Sequence, residues 1–182
     1  MKKQYYQRLT PSKLSYEERI GPPDTISASI GSISLNFSEL EREVSSVISH
    51  LLGCGPEVGR VVSAELSFRG KLDLVSSLYR HTKPIAETLR QFDDLLVICA
   101  EAESSRNQVL HSSWFDAGHS LVKRVKLTAR RKQGFRQQTE QMTSADLMDI
   151  ADFIAYAMSM VDEFFSAQFD AYRSWTWEEI GY

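Results

Sequence analysis

A chain of 182 residues, 42% hydrophobic and 25% charged, is ordinary for one soluble globular domain with a sizeable core. Its net charge of −3 excludes a global attraction to nucleic acid or to an anionic membrane, so any such binding must come from a local patch. Met1-Lys2-Lys3 continues with Gln4, Tyr5 and Tyr6 rather than an apolar run, so no signal peptide is expected, and no stretch approaches the roughly 18 apolar residues of a membrane span.

Residues 1–33 are expected to form an N-terminal arm: Pro11, Gly21, Pro22, Pro23 and Gly31 punctuate them, and Ile26–Ile30 suggests at most a short extended piece. A helical domain is expected over 34–182. Its first helix should start at Ser38, with Glu41 completing a capping box. Leu40, Val44, Val47, Ile48, Leu51 and Leu52 then mark one buried face, and Gly53 and Gly55 supply the stop. A second helical region runs over about 57–81, bent or broken within Leu66–Leu72, where Gly70 weakens a helix by roughly 1 kcal/mol. Pro84 suits a first helical position, from which Ile85, Leu89, Phe92, Leu96 and Cys99 trace a long apolar stripe.

That stripe leads into Arg106-Asn107-Gln108-Val109-Leu110-His111. Beyond it, Gly134 after a polar cluster predicts a β-hairpin with strands at roughly 119–129 and 134–141. Thr143, with Asp146 at the capping-box position, opens a last helix whose apolar positions run from Leu147 to Tyr172. The expected fold is therefore mainly α: a bundle of four to five helices with a β-hairpin inserted before the last one. Trp175 and Trp177 are expected to dock the C-terminus against the bundle.

Arg106 and His111 together carry chemistry. Arginine offers a fixed charge and a planar fork suited to phosphate oxygens. Histidine exchanges protons near neutrality. The pair is a minimal kit for phosphodiester cleavage without a metal. Residues five apart on a continuous helix point about 140° away from each other, so one copy makes a loose site unless the helix bends near Ser104-Ser105. In a purely structural reading, Arg106 pairs with Glu101 or Glu103 on its own helix, and His111 is half-buried against Leu110 and Trp114.

Lys123, Arg124, Lys126, Arg130, Arg131, Lys132 and Arg136 place seven of the 21 basic residues within 14 positions. Phosphate binding along this hairpin would steer RNA to the site in a salt-dependent way. Alternatively the protein neutralises the cluster itself, since nine acidic residues and one basic residue lie between Glu140 and Tyr182. Within the run, Phe135 is the sole aromatic residue, which weakens a stacking platform built from the hairpin alone. Neither Cys54 nor Cys99 has metal-ligand spacing, which favours a reduced cytoplasmic protein. A glycine-rich phosphate loop, an HExxH pattern and a CxxC pair are all lacking, so no metal site or cofactor is expected.

A helical bundle with Arg-Asn-x-x-x-His near the end of a long helix resembles the HEPN superfamily of RNA-cleaving and RNA-binding domains. Leu66–Leu74 upstream, the block Arg106-Asn107…His111-Ser112-Ser113-Trp114, and the hairpin before Thr143-Ser144-Ala145-Asp146-Leu147 carry the likeness over roughly residues 36–172. The resemblance implies a metal-independent endoribonuclease, a toxin or defence effector, leaving 2′,3′-cyclic phosphate, with Arg106, Asn107 and His111 in the active site. It implies a homodimer with the motif at the subunit junction, RNA as substrate, and an antitoxin protein as a further partner. Some toxin-type HEPN proteins carry a tyrosine two residues after the histidine as a regulatory modification site; this chain has Ser113 there. A non-catalytic RNA- or nucleotide-binding module and a helical interaction protein remain the alternatives.

Overall fold

The computed structural model describes residues 24–118, 121–130, 134–169 and 172. Among them are five helices and one sheet: α1 (Asp24–Leu52), α2 (Pro56–Ala64), α3 (Phe68–His81), α4 (Ala86–Leu110), β1 (Ser113–Gly118), β2 (Leu121–Arg130), β3 (Gly134–Met142) and α5 (Ser144–Gln168). No helix of the described residues is long and apolar enough to cross a membrane.

The first helix begins at Asp24, well ahead of Ser38, so the segment expected to be an arm is helical from that point. Ile26 and Ile33, expected in or beside an extended piece, are core residues. Ser38 is not a cap: its hydroxyl donates to the Ser34 carbonyl at 3.0 Å, four residues back. Ser29, Ser32, Ser45, Ser46 and Ser49 bond backward in the same way. A hydroxyl satisfied within its own helix is a small side chain that can be buried without an orphaned polar group. The C-terminal stop falls where the glycines place it. Gly53 adopts a left-handed φ of 62°, and the N–H groups of Gly53 and Cys54 return to the carbonyls of His50 and Ser49, a Schellman motif.

The small residues let α1 and α5 approach closely. Ser29 Oγ lies 2.9 Å from Ser144 Oγ, and Asn36 Nδ2 donates to the Ala151 carbonyl at 2.9 Å. Both pairs are 115 residues apart in sequence, so the two helices run parallel. The pairs stand two turns apart along each helix. Phe92, early in α4, packs on Phe164 and Phe165, late in α5, whereas Arg106, late in α4, lies over Phe37. α4 is therefore antiparallel to both. Around this frame the core gathers Leu40, Val47, Leu72, Val75, Tyr79, Ile154 and Val161.

The break expected within Leu66–Leu72 is present, but Gly70 does not cause it. Ser67 caps α3 by accepting the Gly70 N–H, and Gly70 lies inside the helix. Pro84 stands outside α4, whose N-cap is Ile85; Pro56 is the proline that opens a helix, α2. The sheet has the order β1-β2-β3, all antiparallel, so the expected hairpin exists and gains a third strand, β1, on its β2 edge. It docks on the bundle through buried Val122 and Met142, and Trp114 Nε1 donates to the Val109 carbonyl at 3.2 Å.

The last helix starts as expected. Thr143 Oγ1 accepts from the Asp146 N–H at 3.1 Å, and the Asp146 carboxylate accepts from the Thr143 N–H at 2.7 Å and from its hydroxyl. The backbone N–H and hydroxyl of Thr143 hold the Asp146 carboxyl below the usual aspartate value of 3.8. A depressed native pKa contributes stability above the ordinary carboxylate range and loses it as pH falls through the native value. We therefore expect Thr143→Ala to cost about 1 kcal/mol at neutral pH in chemical denaturation. Wild type should also lose its advantage over Asp146→Ala as the buffer is taken below pH 3.8; an advantage that persists there would contradict the assignment.

Candidate functional site

The last two turns of α4 hold the Arg-Asn-x-x-x-His motif at the end of the bundle where the sheet begins. The helix passes through Ser104 and Ser105 unbroken, so the bend that would join Arg106 to His111 is not there. Arg106 turns inward. Its guanidinium carbon stands 5.0 Å from the centre of the Phe37 ring, and Nη1 donates to Asn107 Oδ1 at 2.8 Å. Its Nε is buried with no hydrogen-bond partner. Phe37 is itself packed on Phe68, with ring centres 4.8 Å apart, so the arginine rests on a rigid aromatic base. Stacking of this kind contributes about 0.5–2 kcal/mol. The expected pairing with Glu101 or Glu103 is replaced by these contacts.

His111 turns outward. It is the C-cap of α4, with φ −102° and ψ 27°, and its backbone N–H returns to the carbonyls of Asn107 and Val109. The side chain is exposed, not half-buried against Leu110 and Trp114. The structure thus brings Arg106 and Asn107 together and leaves His111 on a different side of the same helix end.

The basic residues of the hairpin divide into distinct environments. Arg124 is buried, its side chain only 10% exposed, and it forms an ion pair with Glu140 on β3. It also donates to Gln108 Oε1 at 3.4 Å, which ties the sheet to the turn of α4 between Arg106 and His111. Lys123 and Arg136 are exposed, and Lys126 is half-buried. Arg130 ends β2 opposite Gly134. Arg131 and Lys132 lie outside the described residues, as do His119, Trp175 and Trp177. Internal neutralisation is therefore real for Arg124 and comes from Glu140 across the strand.

Reasoning from sequence missed Phe37, Gln108, Glu140 and Phe115. Phe115 is 48% exposed and stands opposite Lys123 across β1 and β2. No sequence signal pairs these residues, because the pairing is set by strand register. Among the described residues no group of three or more histidine, cysteine, aspartate or glutamate side chains could hold a metal ion. Burial pushes the Cys99 thiol up to about 12, so it stays protonated at neutral pH and is no nucleophile.

Comparison of the chain with protein-family models, curated proteins and solved structures finds no match.

The Arg124–Glu140 pair is asymmetric, and its two halves should respond differently. Glu140 is 55% exposed, so removing Arg124 leaves a carboxylate that water can solvate. Removing Glu140 leaves a cation in a largely buried place, which is the costly case. By urea denaturation, Glu140→Gln should destabilise by about 1–3 kcal/mol and Arg124→Met by less. The reverse order would contradict the burial of Arg124.

Proposed function

We propose that this protein is a metal-independent endoribonuclease of HEPN type, working as a homodimer in a toxin or defence setting. The observation that carries this reading is the position of His111. It is exposed at the end of α4, between the Arg106-Asn107 turn and a hairpin whose sequence holds six basic residues besides the internally paired Arg124. The chain has no acidic residue between Asp116 and Glu140, so the hairpin is locally basic although the protein is acidic overall. Such a patch attracts a phosphate backbone and makes binding fall with salt.

The chemistry follows from the residue types. The RNA 2′-hydroxyl attacks the adjacent phosphorus, and the bond to the 5′-oxygen breaks to leave a 2′,3′-cyclic phosphate and a 5′-hydroxyl. His111 takes the proton from the 2′-hydroxyl or returns one to the 5′-oxygen. Arg106 stabilises the extra charge on the phosphorane oxygens. Within one chain these two side chains diverge, so a symmetric second protomer placed at the α4 ends supplies the complementary half of each site. A second reading has its own support. The stack of Arg106 on Phe37 and its bond to Asn107 also suit a non-catalytic RNA- or nucleotide-binding module in which the arginine braces the helix.

The test is cleavage of an end-labelled RNA pool in EDTA by wild type, His111→Ala and Arg106→Ala. Products ending in 2′,3′-cyclic phosphate are expected, reduced at least about 100-fold in His111→Ala. Arg106→Ala should fall as far if the arginine faces the phosphorane. Intact RNA with wild type, alongside salt-dependent retention on filters, would instead establish the binding module; neither cutting nor retention would remove RNA from the picture.

A further inference from the structure

The outer face of the sheet has a composition that the linear sequence does not show. In an antiparallel sheet, directly opposed residues share a face and neighbours along a strand alternate. Phe115, Lys123 and Gln141 form one row across the three strands. Ser113, Val125 and Thr139 form the next row on that face, and Leu127 with Gln137 the third. Rows on one face stand about 7 Å apart along the strand. Phe115 is 48% and Leu127 57% exposed, and Lys123, Gln137, Thr139 and Gln141 are exposed as well, so this face looks to solvent. The opposite face carries Val122, Arg124 and Met142, which are buried against the bundle. The two carboxylates of the sheet, Asp116 and Glu140, belong to the rows of Val122 and Arg124 and are turned away from the outer face.

We infer that this outer face is a platform for single-stranded RNA, with Phe115 stacking a base and Lys123 holding the adjoining phosphate. The inference rests on the RNA reading of the His111 site but not on its being catalytic. Three features favour this ligand over another. First, the face is free of acid and bears a cation beside an exposed ring, which suits a polyanion with flat bases. Second, beside the apolar Val125 and Leu127 it carries Gln137, Thr139, Gln141 and Ser113, uncharged hydrogen-bonding groups suited to base edges and ribose hydroxyls. Third, β1 starts two residues after His111, so a strand lying on Phe115 and Ser113 runs toward the end of α4 that carries this residue. A duplex would not fit the chemistry, because its bases are already stacked.

Beside Phe135, the one aromatic residue within the basic run, the neighbouring strand thus supplies a second in Phe115. A base stacked on an aromatic side chain is held by the ring, so loss of the ring should weaken binding about tenfold. Loss of one phosphate contact should lower the salt slope by about one.

The experiment uses full-length His111→Ala protein and a fluorescein-labelled single-stranded RNA, read by fluorescence anisotropy at low and moderate salt. In that background, Phe115→Ala should weaken binding about tenfold, while Phe115→Tyr should bind like the parent. Lys123→Gln should weaken binding and flatten its salt dependence, and Lys83→Gln, at an exposed lysine between α3 and α4, should do neither. Circular dichroism checks that each variant is folded. Binding that ignores Phe115→Ala overturns the platform, even if wild type cuts RNA. Binding that depends on Phe115 upholds it, even if wild type cuts nothing. No binding by the parent overturns it, and so does an RNA duplex that competes as well as the single strand. If Phe115→Ala dissociates the protein in sedimentation while its RNA affinity holds, the face joins two copies of the chain and the platform is wrong.

Discussion

The parallel seam between α1 and α5 is the contact on which the rest of this structure depends. Ser29 meets Ser144 and Asn36 meets Ala151 at one constant offset of 115 residues. This joins the two ends of the described chain into one layer and leaves α4 to run back between them. Small, internally satisfied side chains make the close approach possible: a larger residue at Ser29 or Ala151 would push the helices apart and strain every layer behind them. Because α5 must start beside Ser29, the chain leaving α4 has to return to that point, and the sheet is the path it takes.

The end of α4 is therefore where helix, sheet and motif converge. The buried Arg124 uses its charge within the protein, bridging Glu140 on β3 to Gln108 on α4. One residue earlier, Lys123 points the other way, to solvent beside Phe115. The period of two in a strand assigns one cation to structure and the next to the surface. On α4 the helical period has a comparable effect, sending Arg106 onto Phe37 and His111 outward.

Much of the fold was legible in local signals. The capping box at Thr143 and Asp146 and the glycine stop after Leu52 rest on chemistry within a few residues and stand where those residues indicate, and the expected hairpin strands pair with Arg130 opposite Gly134. The N-terminal half of α1 was not legible, because Ser27, Ser29, Gly31, Ser32 and Ser34 have the composition of a loop. Their helix is justified by packing against α5, a partner more than a hundred residues away, which overrides weak propensity. Strand β1 escaped notice for a similar reason: Ser113–Gly118 has little alternation of its own and is defined by its pairing with β2. At the site, the residues of the motif were visible but not their directions. The fate of Arg124 depended on Glu140 across a strand, which spacing alone cannot reveal.

The divergence of Arg106 and His111 makes the proposed catalytic centre a property of two chains. Mixing is the most direct measurement: Arg106→Ala and His111→Ala proteins, each inactive alone, are combined under conditions that exchange subunits, and RNA cleavage in EDTA is followed. With each site built from Arg106 of one protomer and His111 of the other, half of the dimers are mixed and each has one intact site of two, so about a quarter of wild-type activity should return. A mixture as inactive as its components would contradict a shared site.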